Sequence, residues 1–231
     1  MDFTPSPEQQ AVADVVTSVL ERENTWDALV SGGVVALAVP DRLGGDGLGL
    51  PEAATALTEI GRRGTTGPAL ATIGLALVPL VDLATEAQQD RYLAGVASGA
   101  VLSAALNEAG NQLPEKPSTS YAGGKLNGTK IGVPYAETAQ WLLVTTDSGV
   151  VVVSPTAAGV TVEKTPTANG SDEYVVTFTD VAVADDEVLA GATVARVNEL
   201  ALAMIGAFGA GLVAGALRLT ADYTATREQF G

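Results

Sequence analysis

Residues 173–223 read EYVVTFTDVAVADDEVLAGATVARVNELALAMIGAFGAGLVAGALRLTADY, and the character of the chain changes within them. The part up to Val183 is rich in β-branched and aromatic residues, which is typical of a strand. From Thr193 the pattern becomes helical and predicts one long helix that runs toward Tyr223. The acidic run at 185–187 lies between the two parts, and we interpret it as a solvated linker.

The β-rich pattern extends upstream of this stretch, back to residue 100. Short runs rich in β-branched and apolar residues are separated there by Gly, Pro, Asn and Asp turns, and they read VLSAAL, KLNGTKIGV, AQWLLVTT, GVVVVSP and VTVEKTP. Such runs with turn signals between them are typical of antiparallel strands. The middle of the chain therefore predicts a small antiparallel β-domain at residues 100–192.

The first 99 residues have a helical pattern with short connections. Helices are predicted at 6–22, near 26–31, from Pro51 onward, at 69–84 and at 86–98, with a glycine-rich loop after Pro40. The chain is thus an α+β protein with a helical domain at 1–99, a β-domain at 100–192, and one long helix of a further helical domain at 193–231. This order leaves apolar surface uncovered, so we expect another element or chain to cover it.

The composition excludes several classes of function. The 231 residues contain 12 basic and 27 acidic side chains, and a net charge of −15 disfavours nucleic acid and anionic lipid as partners. Cysteine and histidine are absent, which excludes disulfides, thiolate nucleophiles and Ser-His-Asp triads, and we expect no metal site. In the most apolar stretch, 200–217, glycines at 206, 209, 211 and 215 predict close helix packing in a soluble bundle rather than a membrane span. We expect a cytoplasmic protein.

The order of the domains and a string in the helical part resemble one known family. VVALAVPDRLGGDGLGLPEAATALTEIGRRG, at 34–64, is similar to the glycine-rich loop and long amphipathic helix of the acyl-CoA dehydrogenases. The resemblance implies a helical domain, a β-barrel-like domain and a C-terminal four-helix bundle. It also implies FAD as the cofactor and an acyl-CoA as the substrate.

Two strings in the β-domain resemble the family's flavin-binding segments in part. SAALNEAG, at 103–110, is similar to a family segment that contacts flavin, with Asn107 at the usual threonine position, where it can still offer an amide. LNGTKIGVPY, at 126–135, is similar to the segment whose aromatic ring packs on the flavin and whose threonine bonds it. Here Gly132 and Pro134 stand at those positions and supply neither a ring nor a hydroxyl. This half of the site is predicted to be degenerate.

The end of the chain carries the most specific resemblance. YTATREQFG, at 223–231, is similar to a family motif that reaches the pyrophosphate and adenine of FAD on the neighbouring subunit. The resemblance assigns this role to Arg227, Gln229 and Phe230. A guanidinium suits phosphate because it can donate two parallel hydrogen bonds.

The family's catalytic glutamate has no clear counterpart. One of its two known locations lies beyond Gly231, and the other falls near Ala201. Glu199 is close in sequence, but a two-residue offset rotates a side chain by roughly 200° about a helix. We therefore assign no catalytic residue in this chain.

Three functions are consistent with this pattern. The leading one is a subunit of a heteromeric, actinobacterial type of acyl-CoA dehydrogenase, for which the resemblance implies steroid side chains as the acyl groups. This subunit would complete the FAD site of a homologous partner and be inactive alone. The second is the front part of a complete dehydrogenase. The third is a flavin-free scaffold that uses the same fold.

Overall fold

The helical part begins as the sequence predicts. The computed structural model describes residues 4–168 and 170–229. Ser6 caps α1 (Pro7–Arg22) in a capping box, since its hydroxyl accepts from the Gln9 N–H and the Gln9 side chain accepts from the Ser6 N–H. Helix α2 spans Trp26–Ser31, and α3 spans Leu50–Arg62 with a proline in its first turn. The predictions for these three helices are confirmed.

Two later helices differ from the prediction. Residues 69–84 form a π-helix at Leu70–Leu77 that continues into α4 (Val78–Leu83), where Pro79 lacks the N–H of a regular ladder. The single helix expected at 86–98 is instead α5 (Glu86–Tyr92) followed by a 3₁₀ turn at Val96–Ser98. The break falls before Gly95, whose φ of 81° lies in the left-handed region that glycine accepts readily.

The β part contains seven strands in two sheets. Strands β1, β4 and β5 form one sheet, and β2, β3, β7 and β6 form the other in that order. Their bounds are β1 Leu102–Ala105, β2 Ser120–Ala122, β3 Lys125–Pro134, β4 Trp141–Thr146, β5 Gly149–Val153, β6 Val160–Thr165 and β7 Glu173–Ala182. The expectation of a wholly antiparallel domain is wrong for one pair, because β1 runs parallel to β4. The chain between β1 and β4 forms β2 and β3 of the other sheet. Strand β4 then runs in the same direction as β1.

The three-stranded sheet has a core on each face. Residues such as Leu143 and Val150 pack with the helices, whereas Leu142 and Val151 pack against the four-stranded sheet. Alternate residues of a strand point to opposite faces, which explains how one sheet serves both cores. The sheet therefore joins the helical and β parts of the chain, and the division into three domains stays a prediction.

The long helix predicted near the end of the chain is confirmed as α6 (Val194–Thr226). Thr193 caps it by accepting from the Arg196 N–H. Its inner face packs closely on α3, because a Cβ at Gly211 or Gly215 would overlap backbone carbonyls of α3. A Cβ added at Gly206 or Gly209 would meet no atom within 4 Å. The close packing expected at four glycines thus occurs at two.

The outer face of α6 exposes large apolar side chains, including Leu202, Val213, Leu217 and Leu219. Among the described residues, α6 is the one helix long and apolar enough to cross a membrane, with 22% of its most apolar window buried. Length and composition are the whole of that evidence, and core helices of soluble proteins meet the same criterion. The expectation of no membrane span stays a prediction.

Candidate functional site

A buried ion pair anchors the loop that follows β1. Lys130 on β3 is fully buried, and its Nζ donates to the Glu108 carboxylate at 3.0 Å, to the Thr145 hydroxyl at 3.1 Å and to a backbone carbonyl at 3.3 Å. The Glu108 carboxylate also accepts the backbone N–H and the hydroxyl of both Ser118 and Thr119. Both charges are therefore compensated within the chain, as burial requires.

The environment shifts the pKa of both partners downward. Burial would by itself raise the pKa of Glu108, but the N–H groups of Ser118 and Thr119, with the Ser118 hydroxyl and Lys130, hold it well below its ordinary value. Burial lowers the pKa of Lys130, and the pairing with Glu108 opposes part of that effect. The pair fixes the chain between β1 and β2 and does not face a cleft.

Asn107 lies at the start of this loop and helps to shape it. Its side-chain oxygen accepts from the Leu113 N–H at 3.0 Å, and its backbone oxygen accepts from the Ile131 N–H at 3.0 Å. Asn198 of α6 donates to the carbonyls of Leu113 and Pro114 at 3.0 and 3.2 Å. Leu113 is held with a φ of 47° in this arrangement. No local pattern indicates the role of Asn198, since its acceptors lie about 85 positions away in the chain.

A cleft of about 220 Å³ lies between the end of β1, the end of β3 and α6. It brings together the three residues that the sequence analysis placed at the flavin half-site, which are Asn107, Gly132 and Pro134. The other lining side chains are largely apolar, and they include Leu75 of the π-helix and Leu202 of α6. Residues from two separate strings of the sequence thus meet in one cleft, and their assignment to a flavin half-site stays a prediction.

The residues of the cleft do not fit a flavin ring. Gly132 has a φ of 57°, so its backbone also disfavours any larger side chain there, including the aromatic one that the family resemblance implies. Pro134 offers no N–H, and its carbonyl accepts a short hydrogen bond from the Ser103 hydroxyl. The cleft is also too small for a flavin dinucleotide, since its volume of about 220 Å³ lies below the roughly 300–1,000 Å³ of pockets that enclose drug-sized ligands.

No carboxylate of α6 lines this cleft. Glu199 is exposed and lies 3.5 Å from Arg196, which itself pairs with Asp82 at 2.9 Å. Ala201, at the position where the resemblance places a base, is fully buried in the helical core, and Leu202 faces the cleft instead. Within residues 4–168 and 170–229, no group of three or more acidic side chains is arranged to hold a metal ion.

The residues predicted to reach FAD on a neighbouring subunit lie at the other end of α6. Arg227 ends the helix, its N–H donates to the Tyr223 carbonyl, and its guanidinium lies 5.1 Å from the centre of the Tyr223 ring. Gln229 is exposed, and its side-chain amide donates to the Glu228 carbonyl at 3.0 Å. Phe230 lies outside the described residues. Arg227 forms no ion pair within the described part of the chain.

The two sets of predicted residues do not converge. Ile205 lines the cleft and Arg227 lies 22 residues further along the same helix, so the helix rise separates them by roughly 33 Å. Asn107 and Arg227 thus belong to two different places on the molecule. A phosphate-binding role suits the exposed Arg227 guanidinium, which can donate two parallel hydrogen bonds to a phosphate.

Comparisons with known proteins agree with this architecture. Residues 6–100 match the family model described as the acyl-CoA dehydrogenase, N-terminal domain. The whole chain is 66% identical over 231 residues to the acyl-CoA dehydrogenase FadE28 of Mycobacterium tuberculosis, and it spans 68% of that protein. The chain therefore belongs to the acyl-CoA dehydrogenase family, and the α+β fold expected from the sequence is confirmed.

Two solved structures of similar fold carry the names of two proteins joined together, and one of them is named as a complex. The ChsE4-ChsE5 complex from Mycobacterium tuberculosis matches the whole chain with a TM-score of 0.87 at 26% identity, and the chain covers 70% of the matched subunit. A variant of the Tcur3481-Tcur3483 steroid ACAD matches 97% of the chain with a TM-score of 0.86 at 28% identity, over 68% of the matched subunit.

Proposed function

We propose that this chain is one subunit of a heteromeric, FAD-dependent acyl-CoA dehydrogenase and completes the FAD site of a homologous partner. The complex would introduce an α,β double bond into a CoA thioester, with the steroid side chain as the acyl group. In this proposal the partner holds the flavin ring and supplies the base. This chain contributes Arg227, Gln229 and Phe230, and it is inactive alone.

The observation that carries the proposal is the contrast between the two predicted half-sites. In the cleft at Asn107, Gly132 offers no aromatic ring to a flavin, and Pro134 offers neither a hydroxyl nor an N–H. Arg227, by contrast, lies at the end of α6 and has no carboxylate partner among residues 4–168 and 170–229. A cation that the chain itself leaves uncompensated is well suited to bind phosphate from another subunit.

The neighbours in fold support the heteromeric part of the proposal. Both the ChsE4-ChsE5 complex and the Tcur3481-Tcur3483 protein are named as pairs, and the second is named as a steroid ACAD. The apolar outer face of α6 supports it further, since surfaces of this kind are normally covered by other helices. We place the complex in the cytoplasm.

The test is the flavin content of the chain alone and of the complex. The chain is purified alone and after co-expression with a homologous acyl-CoA dehydrogenase, and FAD is quantified from its visible absorbance against protein mass. We expect FAD in the complex only, at about one per pair of subunits. Stoichiometric FAD and turnover on the isolated chain would instead identify a complete dehydrogenase.

A matched pair of arginine variants on α6 separates the donor function from the scaffold function. Arg227→Ala should weaken FAD binding by the complex about tenfold or more, since hydrogen bonds to charged groups contribute roughly 1.5–3 kcal/mol. Arg218→Ala removes another exposed arginine of the same helix and should leave FAD binding unchanged. Equal FAD binding by both variants and the parent would favour a flavin-free scaffold.

A further inference from the structure

The absence of a side chain at Gly132 leaves a small space with two polar groups beside it. A Cβ built on Gly132 would lie 3.7 Å from Glu173 Oε2 and 4.0 Å from Asn107 Nδ2. We call this space the Gly132 niche. It adjoins the cleft described above, since Gly132 and Asn107 both line that cleft, whereas Glu173 is not among the lining residues. A ligand atom placed in the niche would meet a donor and an acceptor together.

Both polar groups are held in place, yet each keeps capacity for one more hydrogen bond. The oxygen of the Asn107 side chain is used by the Leu113 N–H, while its Nδ2 donates to no group in the described part of the chain. Glu173 lies on β7, and its Oε1 accepts from the Ser171 hydroxyl at 3.1 Å. Its Oε2 has no partner among the described residues.

The walls of the cleft select an apolar molecule. Leu75, Leu106, Leu113, Pro134, Leu202 and Ile205 come from the π-helix, the loop after β1, β3 and α6. A cavity with apolar walls and few convergent polar groups is the usual form of a small-molecule site. The volume of about 220 Å³ suits a compact ring system rather than a dinucleotide.

The charges beside the niche select a neutral molecule. Glu173 adjoins it, since its Oε2 lies 3.7 Å from the position of a Cβ on Gly132. A carboxylate at this distance opposes an anionic ligand.

We propose that this cleft binds a neutral, apolar molecule that carries a hydroxyl group. The hydroxyl donates to the Glu173 carboxylate and accepts from the Asn107 amide, while the apolar body contacts Leu75 and Leu202. This inference goes beyond the donor function of Arg227 and does not depend on it, because the two places lie at opposite ends of α6.

Three naphthalene probes test the proposal on the full-length protein in the assembly in which it purifies. They are 2-naphthol, which donates and accepts, 2-methoxynaphthalene, which only accepts, and the anionic 2-naphthoate. We expect 2-naphthol to bind about tenfold more tightly than either analogue, as measured by calorimetry. No binding of 2-naphthol, or equal binding of all three, would overturn the proposal.

Isosteric variants assign the preference to the niche. Glu173→Gln replaces a charged acceptor by a neutral one, so it should reduce the preference of 2-naphthol over 2-methoxynaphthalene and remove the rejection of 2-naphthoate. Asn107→Asp removes the donor that both neutral probes use but keeps an oxygen for the Leu113 N–H, so it should weaken the binding of both. Glu163→Gln, at an exposed position on the neighbouring strand β6, is the matched control and should leave the binding of all three probes unchanged. Unchanged binding in both niche variants, or a flavin that occupies this cleft, would contradict the proposal.

Discussion

Lys130 and Arg227 are both cationic, yet their surroundings are opposite. Lys130 is fully buried, and three acceptors within the chain take the donors of its ammonium group. Arg227 is exposed at the end of α6, where it stacks on Tyr223 and has no carboxylate partner within the described residues. A charge whose partners all lie within the chain stabilises the fold. A charge left without partners is available to a ligand from outside. Variants of Lys130 should therefore lose stability, whereas variants of Arg227 should lose ligand binding.

The largest expected effect is at the buried pair. Lys130→Met should lower the free energy of unfolding by about 3–5 kcal/mol, because it leaves the buried Glu108 carboxylate without its cation. Chemical denaturation measures this loss. Lys125→Met is the matched control on the same strand, since Lys125 is exposed and lies 3.7 Å from Asp180, and it should cost less than about 0.5 kcal/mol. Similar losses for both variants would contradict the structural role of the buried pair.

The next effect distinguishes two glycines of α6. Gly211→Ala should cost about 1–3 kcal/mol, because the new methyl group would overlap the Thr58 carbonyl and approach the Arg62 nitrogen to 2.8 Å. Gly209→Ala, two residues earlier in open space, should increase stability by about 0.5–1 kcal/mol through helix propensity. Both values are read from denaturation curves. Equal behaviour of the two variants would show that α6 does not pack on α3 through this face.

Acid should weaken the fold through Glu108. The pKa of Glu108 is lowered in the folded state, so its contribution is complete above the unfolded value of about 4.3 and is lost as the pH falls toward the folded value. Each pH unit in that range removes up to about 1.4 kcal/mol. Glu108→Gln should flatten this part of the pH profile of unfolding. A variant with the slope of the parent would place the acid sensitivity elsewhere.

The smallest effect on stability is expected at the end of α6. Arg227→Ala should change the free energy of unfolding by less than about 0.5 kcal/mol, because the side chain is exposed and forms no ion pair in the described part of the chain. The same variant should strongly weaken FAD binding by the complex. Thermal unfolding of the isolated chain, measured beside the Arg218→Ala variant, checks the first statement. A large loss of stability would assign Arg227 to the fold instead.

Local patterns predicted most of the secondary structure. The helices were predicted to begin at Ser6 and Thr193, which cap α1 and α6 in the structure, and the change of period after Val183 separated β7 from the last helix. The single helix expected at 86–98 was wrong because the left-handed conformation of Gly95 interrupts it. The direction of β1 relative to β4 was also missed, since strand pairing depends on where the intervening chain goes.

The candidate site could be predicted only in part, for a related reason. Asn107, Gly132 and Pro134 were found from their strings, and the fold brings them into one cleft. The partners Asn198 and Glu173 were missed, because they come from α6 and β7 and nothing in their neighbouring residues indicates which loop they approach.

The sequence by itself determined the order of the elements, the family, and the loss of a ring and a hydroxyl at positions 132 and 134, because each depends on residue types and on periods within one segment. Only the tertiary structure decided which two glycines of α6 approach α3, that Leu202 rather than Ala201 faces the cleft, and that Lys130 meets Glu108 across 22 positions. These depend on how the α6 helix is rotated and how the strands are paired. Both are set by the packing of segments that are distant in the chain.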